Sequence, residues 1–148
     1  MSYGPGWIIL GALVGAAGAS VAQIVNNWFT KGREHARLKI ESFERFRREF
    51  TEDQNLRRID NKKEPLTDEE IDDYIGFFEE VGLYHHRDLV DIDLVDEIMG
   101  DSITTAYDDS HIRESIYKIR AAERDNTYFI YFEQLAQELL KRKRERTK

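Results

Sequence analysis

Cysteine is absent from this 148-residue chain, which excludes a disulfide framework, a thiolate metal site and a thiol nucleophile. A reducing compartment agrees with that absence without being required by it. Charge is absent from the beginning of the chain. Residues 1–30 contain no Asp, Glu, Lys or Arg, and all 51 charged residues fall in 31–148. The apolar share of 41% therefore averages two unlike parts. Enzyme signatures are missing as well: there is no G-x-x-x-x-G-K-S/T, no G-x-S-x-G and no H-E-x-x-H. No alternating strand pattern stands out. What remains is an apolar leading segment and roughly 118 residues able to enclose one modest core.

The leading segment reads as a transmembrane anchor. From Trp7 to Ala22 the residues are Trp, Ile, Leu, Val, Ala, Gly and the single Ser20. Extended to Phe29, a helix here is about 34 Å long, matched to a hydrocarbon core of roughly 30 Å. Trp7 at one end and Trp28 with Phe29 at the other fit aromatic belts at two interfaces. A cleaved signal peptide competes, with Ser20-Val21-Ala22 as its cleavage site, but no basic residue precedes the apolar run. A buried soluble helix also competes, but a small domain does not readily surround a helix that is apolar on every face. Gln23, Asn26 and Asn27 shorten the purely apolar part and suit the headgroup level or a partner helix. Lys31, Arg33, Arg37 and Lys39 follow the segment, so the positive-inside rule puts the C-terminal domain in the cytoplasm and the N-terminus outside. Gly11 and Gly15 form a GxxxG, with Ala12, Ala16 and Ala19 beside it. Such a face lets helix backbones approach closely, so a homo-oligomer or a membrane protein partner is expected through this helix. The alternative is that Gly and Ala are simply common in membrane helices.

The net charge of −7 hides a pattern. Residues 31–50 sum to +3, residues 51–109 to −14 and residues 110–148 to +4. Apolar residues recur at helical spacing through all three stretches. Ala36, Ile40, Phe43, Phe46 and Phe50 form one stripe of a juxtamembrane stalk helix. Asp60–Pro65 reads as a loop, since Pro65 disfavours helix at the residue before it. Thr67-Asp68-Glu69-Glu70 then reads as a capping box, with Leu66 and Ile71 in the positions of a hydrophobic staple. The helix that follows is expected to bury Ile71, Tyr74, Ile75, Phe78 and Val81. Asp91 or Asp93 caps the next, which carries Val95, Ile98, Met99, Ile103 and Tyr107. Asp108-Asp109-Ser110 caps a third, with Ile112, Ile116 and Ile119. A last helix is expected from about Asn126, with Tyr128, Phe129, Phe132, Leu135, Ala136 and Leu139.

Candidate chemistry is sparse. Asp88, Asp91, Asp93, Asp96 and Glu97 cluster beside His85 and His86. An EF-hand loop needs a central Gly that this stretch lacks, and a di-iron bundle needs Glu-x-x-His pairs that none of the four histidines offers. Caps and first-turn acids explain the cluster better than a metal does. His85 and His86 are candidates for a pH-sensitive pair or for plain helix-end residues. The tail from Lys141 to Lys148 holds six basic residues and one acid. Its Lys141, Arg142, Lys143, Arg144 and Arg146 are candidates for contact with anionic lipid or an acidic partner. A solvated helix end is the alternative. Nucleic acid is disfavoured by the acidity of the domain as a whole.

Three stretches together resemble an uncharacterised bacterial family known only as a domain of unknown function. They are Ile75-Gly76-Phe77-Phe78-Glu79-Glu80-Val81-Gly82, Leu89-Val90-Asp91-Ile92-Asp93-Leu94-Val95 and Tyr128 to Leu135, within a resembling region of Phe43 to Leu139. The resemblance implies a single anchor with a short helical cytoplasmic domain, and no activity or site residues.

The expectation is an all-α protein: one N-terminal transmembrane helix followed by a compact cytoplasmic bundle of four to five helices. Its parts are an anchor at 1–30, a stalk at 31–50, a helical domain at 51–140 and a basic tail at 141–148. It belongs in the bacterial inner membrane as a single-pass, non-enzymatic interaction protein without cofactor, serving as subunit, adaptor or scaffold. Its partners are membrane lipid and a membrane protein or second copy. The alternative is an oligomerising membrane-acting effector, such as a toxin-like or phage-response protein.

Overall fold

The structure, a computed structural model, describes residues 31–62 and 64–146. The chain divides into two compact units, 1–37 and 38–148. In the first, residues 31–37 are described and helical. The anchor read at Trp7–Phe29 lies outside the described residues. Among the described residues no helix is long and apolar enough to cross a membrane.

Among the described residues there are six helices and no strand. They are α1 (31–52), α2 (Gln54–Asp60), α3 (Asp68–His86), α4 (Ile92–Asp108), α5 (Ser110–Glu123) and α6 (Ile130–Arg146). The all-helical expectation is borne out at this level.

The boundaries follow from short-range chemistry. Asp53 is extended and accepts from the amides of Asn55 and Leu56 at 2.8 and 2.9 Å, so it separates α1 from α2. Thr67 and Glu70 close the capping box in both directions, Glu70 N to Thr67 Oγ1 at 3.3 Å and Thr67 N to Glu70 Oε2 at 2.9 Å. Asp91 caps α4 and Asp109 caps α5. Each cap satisfies amides that would otherwise lack a partner in the first turn.

The core of the second unit is aromatic at its centre. Phe46, Phe78 and Phe132, from α1, α3 and α6, are all 0% exposed. Phe78 stacks on Phe132 with ring centres 6.2 Å apart, and Tyr74 meets Phe78 edge-on at 4.7 Å. Burying one such ring contributes about 1.5–3 kcal/mol. The expected core residues of α3 and α4 are buried or packed against the core.

Two expectations fail. On α1, Phe43, Phe46 and Phe50 are buried, but Ala36 is exposed and Ile40 is 65% exposed. At roughly 100° per residue, Ile40 points well away from the direction of Phe46, and Lys39 takes the inward stripe instead. The last helix starts at Ile130 rather than near Asn126. Arg124 and Phe129 both have left-handed backbone, with φ of 53° and 58°. Asp125 accepts from the amide and hydroxyl of Thr127 at 2.8 and 2.6 Å, which builds a turn where helix was expected. Tyr128 is left 40% exposed.

Candidate functional site

The stretch Ile75–Gly82 of α3 meets both α1 and α6, and its residues divide their roles. Ile75, Phe77, Phe78 and Val81 are core. Glu80 pairs with Arg45 at 2.7 Å, and the Arg45 guanidinium lies 4.3 Å over the Phe46 ring and 4.8 Å over Tyr84. Glu79 Oε2 accepts from the Phe132 amide at 2.7 Å, so a carboxylate of α3 caps the N-terminus of α6. Burial holds the Glu79 carboxyl above the usual range, against the Phe132 and Tyr131 amides that pull it down. Gly82 touches the α6 backbone: a methyl there would sit 2.6 Å from the Tyr131 carbonyl carbon.

The second constellation is a charged seam. Arg142 and Arg146, in the last turns of α6, pair with Asp93 and Asp96 of α4. Lys143 reaches Asp101 at 3.1 Å, and Arg142 also lies 3.5 Å from Glu138. Lys141 and Arg144 are exposed. His85, at the end of α3, joins the same side: its Nδ1 is 3.2 Å from the Val90 carbonyl and its Nε2 3.1 Å from Glu138 Oε2. Both neighbours are oxygen acceptors, so only the doubly protonated ring donates to both. His86 packs on the Tyr131 ring at 5.0 Å. The acids from Asp88 to Glu97 disperse accordingly. Asp88 pairs with Lys39 at 2.5 Å, Asp91 caps α4, and Asp93 and Asp96 meet α6. Among the described residues no three His, Asp or Glu side chains converge as metal ligands.

A cleft of about 520 Å³ opens where the α2–α3 loop meets α4 and α5. The Tyr74 hydroxyl donates to Asp60 Oδ1 at 2.5 Å, and His111 Nε2 donates to the Leu66 carbonyl at 3.0 Å. Burial first, then the Asp60 carboxylate, push the Tyr74 phenol up, so it remains a donor. Beside the cleft, Glu70 is 9% exposed and accepts from Lys62 at 2.6 Å and Arg58 at 2.5 Å. The Lys62 bond foremost, then the Thr67 amide and Arg58, hold its carboxyl down at about 2.

Of the sequence candidates, Arg142, Lys143 and Arg146 pair with acids of α4, and Lys141 and Arg144 are exposed. Gly11, Ala12, Gly15, Ala16, Ala19, Trp7, Trp28 and Phe29 lie outside the described residues. Sequence reasoning missed Glu79, Gly82 and the acidic row of α4 as a partner for the tail. A signal for the last existed, in the −14 of 51–109 set against the +4 of 110–148.

Among the described residues, fold and site together define a small all-helical protein whose charged residues brace helix against helix. The chain belongs to the family described as a domain of unknown function, DUF4760, whose model matches residues 19–139. The resemblance read in Phe43–Leu139 is borne out, and the match begins earlier, inside the apolar segment. No curated protein and no solved structure matches the chain.

Proposed function

We propose that the protein is a non-enzymatic, membrane-anchored interaction protein, a subunit, adaptor or scaffold of a bacterial inner-membrane assembly. The observation that carries this reading is the charge-free segment 1–30, apolar from Trp7 to Ala22 and followed at once by Lys31, Arg33, Arg37 and Lys39. In this reading the segment is an uncleaved single-pass anchor, with the N-terminus outside and the helical domain in the cytoplasm. The geometry of the domain supports an interaction role. Asp88, Asp91, Asp93, Asp96, His85 and His86, which were candidates for chemistry, take part in caps, ion pairs and ring packing. Trp7, Trp28 and Phe29 serve as interfacial anchors, and Gly11, Ala12, Gly15, Ala16 and Ala19 as the face that meets a membrane partner or a second copy.

Carbonate extraction of membranes tests the anchor: the chain stays in the pellet, and release into the supernatant overturns the reading. A gentle detergent pull-down with mass spectrometry then identifies the partners. A second reading draws on Gly11 and Gly15, an oligomerising membrane-acting effector. It requires that overexpression dissipate the membrane potential and that Gly11→Ile with Gly15→Ile abolish the effect.

A further inference from the structure

We infer that His85 is a proton-sensitive tie between α3 and α6: the neutral ring is held by the Val90 carbonyl alone, and the protonated ring takes Glu138 as well. The inference is independent of the membrane reading above. Its basis is that each ring nitrogen faces an oxygen. Nδ1 is 3.2 Å from the Val90 carbonyl and Nε2 is 3.1 Å from Glu138 Oε2. A carbonyl and a carboxylate accept and do not donate, whereas a neutral imidazole has one N–H and one lone pair. One nitrogen of the neutral ring therefore opposes an acceptor with its lone pair.

The two acceptors decide which nitrogen that is. Val90 is 1% exposed, and its carbonyl is fixed in the backbone just before the Asp91 cap of α4. A buried carbonyl without a donor is costly. The Glu138 side chain is 42% exposed, and its other oxygen lies 3.5 Å from Arg142, so water and Arg142 satisfy it without His85. The neutral ring therefore keeps its hydrogen on Nδ1, toward Val90. A proton taken from solvent adds a hydrogen on Nε2, and Glu138 Oε2 accepts it. The other charges nearby have their own partners. Arg142 of α6 pairs with Asp93 of α4, Asp88 pairs with Lys39 of α1, and His86 packs on the Tyr131 ring. With the ring charged, Asp93, Arg142, Glu138 and His85 alternate in sign from α4 through α6 to α3. The proton changes the α3–α6 junction and leaves the pairs of α6 with α4 as they are.

A double-mutant cycle reads the tie in the full chain held in mild detergent. His85→Gln, Glu138→Gln and the two together are titrated with urea at about pH 5.5 and about pH 8, either side of the range in which an imidazole ordinarily takes up its proton. Carboxylates are ordinarily ionised at both values, and titration elsewhere in the chain cancels in the cycle. The coupling of His85 with Glu138 is expected to shift the unfolding equilibrium by between about 1.5-fold and about fivefold at about pH 5.5, and to vanish at about pH 8. No coupling at the lower pH, or equal coupling at both, overturns the proton-dependent tie. The ring gives a second reading that leaves His85 and Glu138 unchanged. Nitrogen NMR of the chain with isotope-labelled histidines is assigned through His35→Gln, His86→Gln and His111→Gln. His85 is expected to carry its hydrogen on Nδ1 at about pH 8 and to gain a second on Nε2 as the solution is acidified. A neutral ring with its hydrogen on Nε2 overturns Val90 as the fixed partner.

Discussion

Glu70 shows what one carboxylate does when three kinds of donor converge on it. It closes the capping box of α3 while also receiving Lys62 and Arg58. All three prefer the ionised form, and its carboxyl falls from the ordinary 4.5 to about 2. A depressed acid stabilises the fold above its unfolded value, and that contribution disappears as pH drops through the folded one. Glu70→Gln is therefore expected to melt below the wild type at pH 7. The gap should close between about pH 4.5 and about pH 2 in a series of thermal melts. A gap that stays constant over that window would show that Glu70 contributes nothing through its charge. Lys39 and Ile40 illustrate the same scale in reverse. Lys39 reaches Asp88 from the inward stripe of α1, while its apolar neighbour faces outward.

At the scale of elements, the junction of α3 and α6 is the most extensive of those among α2 to α6. Gly82 sets their separation, and Glu79 ends the approach by capping α6. Adding a methyl at Gly82 drives the helices apart, an overpacking effect of about 1–3 kcal/mol. Ala is favoured over Gly in a helix by about 1 kcal/mol, which opposes it. The collision is with backbone, which yields less than a side chain, so the steric effect prevails. Gly82→Ala is expected to lower the denaturation midpoint. Gly76→Ala, where nothing lies within 4 Å, is expected to raise it, the stability gaining up to about 1 kcal/mol. Equal shifts of the two variants in urea titrations would count against the close approach. Arg120 secures the next junction, donating to the Tyr128 carbonyl at 2.6 and 2.9 Å and pairing with Glu133 at 2.9 Å. That clamp holds the α5–α6 turn where the last helix was expected to begin, near Asn126.

For the whole molecule, the question is which part folds. Every buried apolar side chain from Phe43 to Leu139 belongs to the unit 38–148, in one continuous cluster. A chain lacking residues 1–37 loses none of them. It is expected to give a helical circular dichroism spectrum and one cooperative thermal transition. A broad, non-cooperative melt would mean that the first unit completes the core. The charge pattern also acts at this scale. The acidic middle and the basic end of the sequence meet as α4 against α6, so a polarity of the chain becomes a seam of the fold.

Local chemistry was legible from the residues alone. The helical class, the capping box of Thr67 and Glu70, a cap at Asp91 or Asp93, another within Asp108–Ser110 and the inward faces of α3 and α4 each depend on residues within a turn or two, and helical periodicity displays them. Membership of an uncharacterised family was legible too, from the stretches within Phe43–Leu139. Tertiary structure decided what depends on partners far along the chain. Glu79 reaches Phe132 across 53 residues and Arg142 reaches Asp93 across 49, distances at which no periodicity carries information. The same holds for the glycine at position 82, whose need for a bare backbone exists only because Tyr131 lies against it. The absence of charge from residues 1–30, by contrast, is a property of composition, and the anchor inferred from it draws on solvation physics rather than on any contact in the fold.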